Sequence, residues 1–257
     1  MTKHIILTLL AAIATATAGV TTVNQLSVDA GNIENNLRAP SISLDAAFTS
    51  QELWRGVTRG DDSTRVSAFS NINFSSNINT YAGVTLRNTD DTDSEYIFTG
   101  GASKDFSDLG LPGTSVGVVF NYYTEGTKVE GDITSEVGVI LSQRFDSFLL
   151  DKAAITQFFT TEGEGQGYGE LELVKTVNIL GLDVDLTGGL GYLADESELT
   201  HAQLTISTDC NTGISNLVVT PFVTSLFSLT DDSNRARGIY SGAEDEVAVG
   251  FQIGYKF

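Results

Sequence analysis

The chain has 257 residues with 33 acidic against 14 basic side chains, a net charge of −19, and only 18% charged residues overall. An apolar content of 41% sets it apart from disordered polyacids, and the sign of its charge argues against a nucleic-acid binder. One Cys (Cys210) and two His leave no internal disulfide framework and almost no scope for a Cys/His metal site.

Met1-Thr2-Lys3-His4 is a short basic start, Ile5 to Ala14 is almost purely apolar, and Ala16 and Ala18 flank Thr17 as a small-residue cleavage site. This is the tripartite pattern of a secretory signal peptide over residues 1–18, too short to cross a bilayer. No lipobox-type Cys follows it. Residues 19–40 are polar without a sustained period and read as an exposed N-terminal arm. The mature chain is expected to work outside the inner membrane.

From Ser41 to Phe257 apolar residues recur at every second position over stretches of about ten, the mark of strands with two unlike faces. Such runs are expected at 41–54, 64–74, 78–87, 95–105, 114–124, 133–145, 152–161, 167–177, 182–192, 199–208, 216–228 and 245–257. The last is the clearest: Val247, Val249, Phe251, Ile253, Tyr255 and Phe257 alternate with Glu246, Ala248, Gly250, Gln252, Gly254 and Lys256. No helix-period stretch interrupts the series, so residues 41–257 read as one all-β domain.

The second face decides where these strands live. A soluble sandwich shows Lys, Glu and Thr to water, whereas a membrane barrel fills its inside with polar and small residues. Here that face is Gly, Ser, Asn, Thr and Asp with few Lys. A strand of about ten residues tilted by about 40° matches a lipid-facing band of roughly 25 Å, and closure leaves no unpaired edge in lipid. The expected architecture is a single closed antiparallel transmembrane β-barrel of about twelve strands. Aromatics near strand ends (Trp54, Phe74, Tyr96, Phe106, Tyr122, Tyr123, Phe145, Tyr168 and Tyr192) fit interfacial girdles.

The terminal Phe257, in phase with Phe251, Ile253 and Tyr255, resembles the assembly signal of bacterial outer-membrane proteins. It implies the barrel-assembly machinery as a partner and the cell outer membrane, with its lipid, as the location. Glu52-Leu53-Trp54-Arg55-Gly56-Val57-Thr58-Arg59 resembles the Y-x-F-R-G-x-S/T-Q signature of TorF-type porins of Gram-negative bacteria, and Tyr81-Ala82-Gly83-Val84 that family's F/Y-Y-A-G strand. Glu52, Trp54 and Arg59 depart from the usual Tyr, Phe and Gln. The resemblance implies a porin-type barrel.

A periplasmic N-terminus sends the acidic connections outward: Asp61-Asp62, Asp90-Asp91 with Asp93, Glu125 and Glu130, Glu162 and Glu164, Asp195-Glu196 with Glu198, and Asp231-Asp232 with Glu244-Asp245. Phase puts Asp45, Glu136, Glu170, Glu172, Asp183 and Asp185 on the pore-lining face, with Arg55, Arg65, Arg87 and Arg144 as counter-charges. In a narrow lumen such charges decide what crosses, and their acidic excess favours small polar solutes or cations over anions. Arg55 is the leading candidate for a constriction or a loop anchor, beside the plain reading of an Arg bonded to neighbouring carboxylates. Asp90-Asp91-Thr92-Asp93-Ser94-Glu95 lacks the spacing of an EF-hand and reads as a solvated loop. His201, the one histidine of the mature chain, has no Ser two residues on, so the H-x-S pairing of outer-membrane phospholipases is missing; no enzyme, cofactor or nucleic-acid partner is expected. The leading function is a porin-like channel for passive diffusion. The alternatives are a non-conducting structural or adhesive barrel and a secreted glycan-binding β-protein.

Overall fold

The computed structural model describes residues 41–257 apart from 56, 76, 90–91, 128–132, 163–166, 195–197 and 230–244. The signal peptide and arm assigned to residues 1–40 lie outside the described residues. The strands are β1 (Ser41–Trp54), β2 (Val57–Ser75), β3 (Ile78–Thr89), β4 (Thr92–Asp105), β5 (Thr114–Thr127), β6 (Ile133–Arg144) and β7 (Lys152–Glu162). Next come β8 (Tyr168–Ile179), β9 (Leu182–Leu193), β10 (Glu198–Ser207), β11 (Cys210–Asn211), β12 (Leu217–Ser228) and β13 (Glu246–Lys256). A single 3-10 turn, Ser107–Leu109, sits between β4 and β5.

Each strand pairs antiparallel with its neighbours in chain order, and the series closes where β1 meets β13, from Ser43 opposite Lys256 to Thr49 opposite Gly250. β10 pairs directly with β12, while the two-residue β11 only extends β12 at its edge. The result is a closed barrel of twelve strands plus that short extra one. The alternation read from the sequence sets the strand positions closely. Two differences have local causes. β2 begins at Val57 rather than 64, because pairing with β1 resumes at Asp61, Thr58 and Val57, across a stretch whose composition breaks the alternation. β11 is too short to carry any period.

The barrel's polarity is the reverse of a water-soluble protein's. Phe120, Ile155 and Phe159 are 44%, 55% and 53% exposed on the outer face, whereas the inward Arg87 and Glu136 are 3% and 1% exposed. Phe251 stacks on Phe48 of the adjoining β1 at 5.1 Å between centroids, and Tyr255 meets Phe257 edge-on at 4.7 Å, all outside the ring. An apolar belt running round a whole molecule far exceeds the patches that soluble monomers leave uncovered.

One rim gathers both ends of the described chain, Ser41 and Phe257, with the connections 76–77, 106–113, 145–151, 180–181 and 208–216. The opposite rim holds the other ends of the strands, from Trp54 and Val57 round to Ser228 and Glu246. Much of the acid assigned to that second rim (Asp90, Asp91, Glu130, Glu164, Asp195, Glu196, Asp231, Asp232 and Glu244) lies outside the described residues. Asp62, Glu162 and Asp245 are exposed there. Glu95 is a correction: it is no part of a solvated loop but the fourth residue of β4, turned inward and buried against Arg87.

At the terminal rim Asp151 accepts hydrogen bonds from Lys175 Nζ at 2.7 Å and from the Thr176 amide at 2.6 Å. Lys175 first, then that amide, hold its carboxyl below the ordinary 3.8. A carboxyl that titrates lower folded than unfolded adds stability above its unfolded value, lost as pH falls through its lower folded one. Asp151→Asn is therefore expected to lower the urea midpoint at pH 7, with the gap to the parent closing as pH drops below 3.8. An equal gap at both extremes would contradict this account.

Candidate functional site

The lumen is the one place where the described chain concentrates buried charge. Because side chains alternate along each strand, every second residue points inward, and the register stacks these inward residues into layers. In one layer Glu170 on β8 faces Gly191 on β9, which in turn faces His201 on β10. A Cβ on Gly191 would collide with the His201 ring, and one on Gly189 with the Gln203 side chain. These two glycines let His201 and Gln203 lie flat across β9 toward β8. Gln203 Nε2 then donates to Glu170 Oε1 at 3.4 Å, and Tyr168 Oη to Glu170 Oε2 at 3.2 Å. The His201 ring lies parallel to Tyr168 at 6.4 Å, with its Nδ1 2.9 Å from Thr200 Oγ1 and its Nε2 buried without a hydrogen-bond partner.

The hairpin of β1 and β2 crosses this space. Its register shifts between Gln51 and Leu53, and a bulge of this kind bends the strand that carries it. Beyond the bend Leu53 is buried against Leu226 on β12 and Ala248 on β13. Arg55 follows at the tip with φ 50, a left-handed conformation suited to a two-residue hairpin connection. For a residue with a Cβ that conformation costs roughly 1–2 kcal/mol. The contacts made by its side chain offset the cost.

In a ring of twelve strands β7 lies diametrically opposite β1, and it is to β6, β7 and β8 that Arg55 reaches. Its Nη2 donates to Glu136 Oε2 on β6 at 2.6 Å. Its Cζ lies 4.7 Å from the Phe158 ring centroid on β7 and 4.6 Å from that of Tyr168 on β8. Glu136 is held from its own wall as well, since Asn121 Nδ2 donates to Oε1 at 3.0 Å and Tyr123 Oη at 2.7 Å. The hairpin is thus folded into the barrel mouth at the rim away from the chain ends and fastened to the far wall.

Around this crossing several other lumenal charges have charged partners. Arg87 donates to Glu95, and Lys152 to Glu172 at 2.9 Å. Arg65, buried in the lumen, lies close enough to Asp45 to act on it electrostatically, and Gln252 Nε2 donates to the Asp45 carboxylate at 3.3 Å. Of the ten sequence candidates, Asp45, Arg55, Arg65, Arg87, Glu136, Glu170 and Glu172 have inward positions between the rims. Arg144, Asp183 and Asp185 lie at the terminal-rim mouth, the first two exposed, with Asp183 accepting from Asn178 and Asp185 from Thr176.

The sequence reading missed Lys152, Gln203 and the aromatic part of the site. Tyr123 and Tyr168, expected in a girdle, are buried inside at 3% and 0% exposure. Tyr122 already takes the outward position beside Tyr123, and Tyr168 shares the phase of Glu170 and Glu172. That shared phase was the available signal. Tyr81, Val119, Phe158 and Tyr168 form an apolar cluster within the lumen, with Ile140 packed against it. Tyr96, Tyr122, Phe145 and Tyr192 do lie exposed, and the side chains of Trp54 and Phe74 lie outside the described residues.

The fold and site together define a closed, inside-polar β-barrel with an ion-paired crossing of its lumen. No protein-family profile and no curated protein matches the chain. Solved structures align with it at low identity. One reported in work on in-meso crystallization of membrane proteins shares 13% identity at a TM-score of 0.47, over 85% of this chain and 83% of the other. The translocator domain of autotransporter NalP from Neisseria meningitidis gives 12% and 0.43, over 91% and 94%. CdiB from Acinetobacter baumannii gives 9% and 0.41, over 86% of this chain and 60% of its own. At such scores the alignments carry no functional argument, and the barrel rests on its own strand register.

Removing one member of a buried ion pair costs about 3–5 kcal/mol, whereas replacing both by apolar groups is often neutral. Glu136→Gln is expected to destabilise the refolded barrel by an amount in that range. A double variant, Arg55→Leu with Glu136→Leu, should cost less than the sum of its single changes. A double-mutant cycle on urea unfolding in vesicles checks the coupling; additive effects would remove the ion pair from the account.

Proposed function

We propose that this chain is an outer-membrane β-barrel of porin type, through which small polar or cationic solutes cross passively. The observation that carries the reading is the inverted polarity: an apolar belt outside and charged, hydrogen-bonded side chains inside. Water cannot stabilise such an exterior, whereas acyl chains can, and closure meets the backbone's hydrogen-bonding demand inside a bilayer. The resemblance of Glu52–Arg59 and Tyr81–Val84 to TorF-type porins agrees with this reading. So does the C-terminal series Phe251, Ile253, Tyr255 and Phe257, which we take as the signal for the barrel-assembly machinery.

Selectivity in this reading comes from fixed charge. Glu170 has Tyr168 and Gln203 as hydrogen-bond donors, and Glu172 has Lys152, so the β8 wall keeps two carboxylates close together in the lumen. A second reading, a non-conducting structural barrel, is favoured by the Arg55 crossing, which ties opposite walls together.

Planar-bilayer recording separates the two. In a salt gradient the inserted barrel is expected to give a cation-selective reversal potential, and Glu170→Gln with Glu172→Gln should lower that preference. Silence over many insertions would end the channel reading in favour of the structural one. Membrane placement has its own check at Phe120, midway along β5 on the outer face. Phe120→Arg is expected to cost about 2–4 kcal/mol in vesicle refolding, the value for a basic residue at the bilayer midplane. A change within experimental error would argue against lipid at that position.

A further inference from the structure

Arg55 is seated in a site that the opposite wall builds without it. Glu136 is oriented by Asn121 and Tyr123, both on β5, so its carboxylate is aimed into the lumen whether or not the hairpin is docked. Beside it stand the rings of Phe158 and Tyr168, 6.5 Å apart and inclined by 27°. The Arg55 Cζ is under 5 Å from both ring centroids, within the range where an aromatic face attracts a cation. One carboxylate and two aromatic faces make a receptor for a planar cation. The guanidinium fits it better than a compact ammonium, because it bonds the carboxylate and covers a ring with the same flat group.

Among the described side chains beyond the hairpin's bend, Leu53 and Arg55 are buried, and the register shift at Gln51 supplies a hinge. If the tip swings out, Glu136 is left as a buried carboxylate whose cation has gone, a state that proteins avoid by admitting another cation.

We propose that the Glu136–Phe158–Tyr168 seat is a binding site for guanidinium-bearing solutes, occupied in this structure by the chain's own Arg55. The hairpin occupies the seat with the same chemical group that the solute would present. A guanidinium compound that takes the seat displaces the Arg55 side chain from Glu136. This deepens the channel reading and rests on it for the statement that the ligand passes through; the seat itself stands on the contacts alone.

The test uses the full chain refolded in detergent, with arginine amide as the probe and lysine amide as a control of equal charge. Arg55→Ala is expected to bind arginine amide about tenfold more tightly than the parent, since the competing side chain is gone while the two desolvated rings remain. Lysine amide should bind less tightly. Adding Glu136→Gln to Arg55→Ala should abolish the gain. Bound arginine amide should also raise the temperature at which Arg55→Ala loses its folded, fast-migrating form on gels, with no such rise for the parent. Should Arg55→Ala fail to fold, Arg55→Gln offers the same empty seat with a neutral amide against Glu136. Binding no tighter than the parent's, or a gain that survives Glu136→Gln, overturns the seat. Binding as expected with no current at any bilayer insertion upholds the seat and overturns the channel. Current in potassium chloride without arginine amide binding upholds the channel and overturns the seat.

Discussion

The closing contact between β1 and β13 is the constraint on which the rest of the molecule depends. It joins Ser43 to Lys256 across almost the whole described chain, and it converts a meander with two bare edges into a ring with none. The seam is tight. A side chain on Gly250 would run into the backbone carbonyl oxygen of Phe48, so glycine there lets the last strand come up against the first. Once the ring is shut, each residue's face is fixed by parity, and a slip of one residue would turn Phe48 and Phe251 into the lumen and Asp45 out among apolar neighbours. The stacked pair of Phe48 and Phe251 on the outside of the seam holds the register against that slip.

Closure also creates a filling problem. A ring of eight strands is packed by its own side chains, and one of sixteen leaves an aqueous channel; twelve falls between. The glycines, serines and threonines on the inner face are too small to meet across it. Two devices make up the difference: large aromatics on β3, β5, β7 and β8 (Tyr81, Tyr123, Phe158 and Tyr168), and the β1–β2 hairpin bent in from the rim. Buried charge follows from the same geometry. Carboxylates with room around them need partners, and Arg55, Arg87 and Lys152 supply them to Glu136, Glu95 and Glu172.

These demands explain which parts of the protein were legible in the sequence. Strand number and strand position follow from period two, because a half-apolar strand in lipid cannot afford mixed faces; Val247 to Phe257 shows this without ambiguity. The inward set Asp45, Glu136, Glu170 and Glu172 follows from the same phase. The lumenal aromatics did not, because Tyr168 near a strand end satisfies the girdle pattern equally well, and only its spacing from Glu170 marks it as inward. The hairpin's bend was hidden for a different reason. Val57–Asp62 carries no alternation, and a bulge shows in hydrogen-bond register rather than in composition. That Arg55 meets Glu136, 81 residues on, is a property of ring closure, which brings β1 opposite β6–β8. No local pattern encodes it.

Tethering sets how firmly Arg55 holds its seat. A group held on a short linker faces its receptor at an effective concentration of about millimolar, so a free competitor must approach that level to displace it. The left-handed backbone at Arg55 and the bend at Gln51 weaken the docked state, which lowers the threshold, while Leu53 against Leu226 and Ala248 raises it. If the seat takes guanidinium solutes as proposed, the tethered Arg55 keeps it against trace solute and yields it when solute is plentiful, by mass action alone. The wall also builds the receptor by itself: Asn121 and Tyr123 hold Glu136 from β5, so the seat needs nothing from the hairpin to keep its shape.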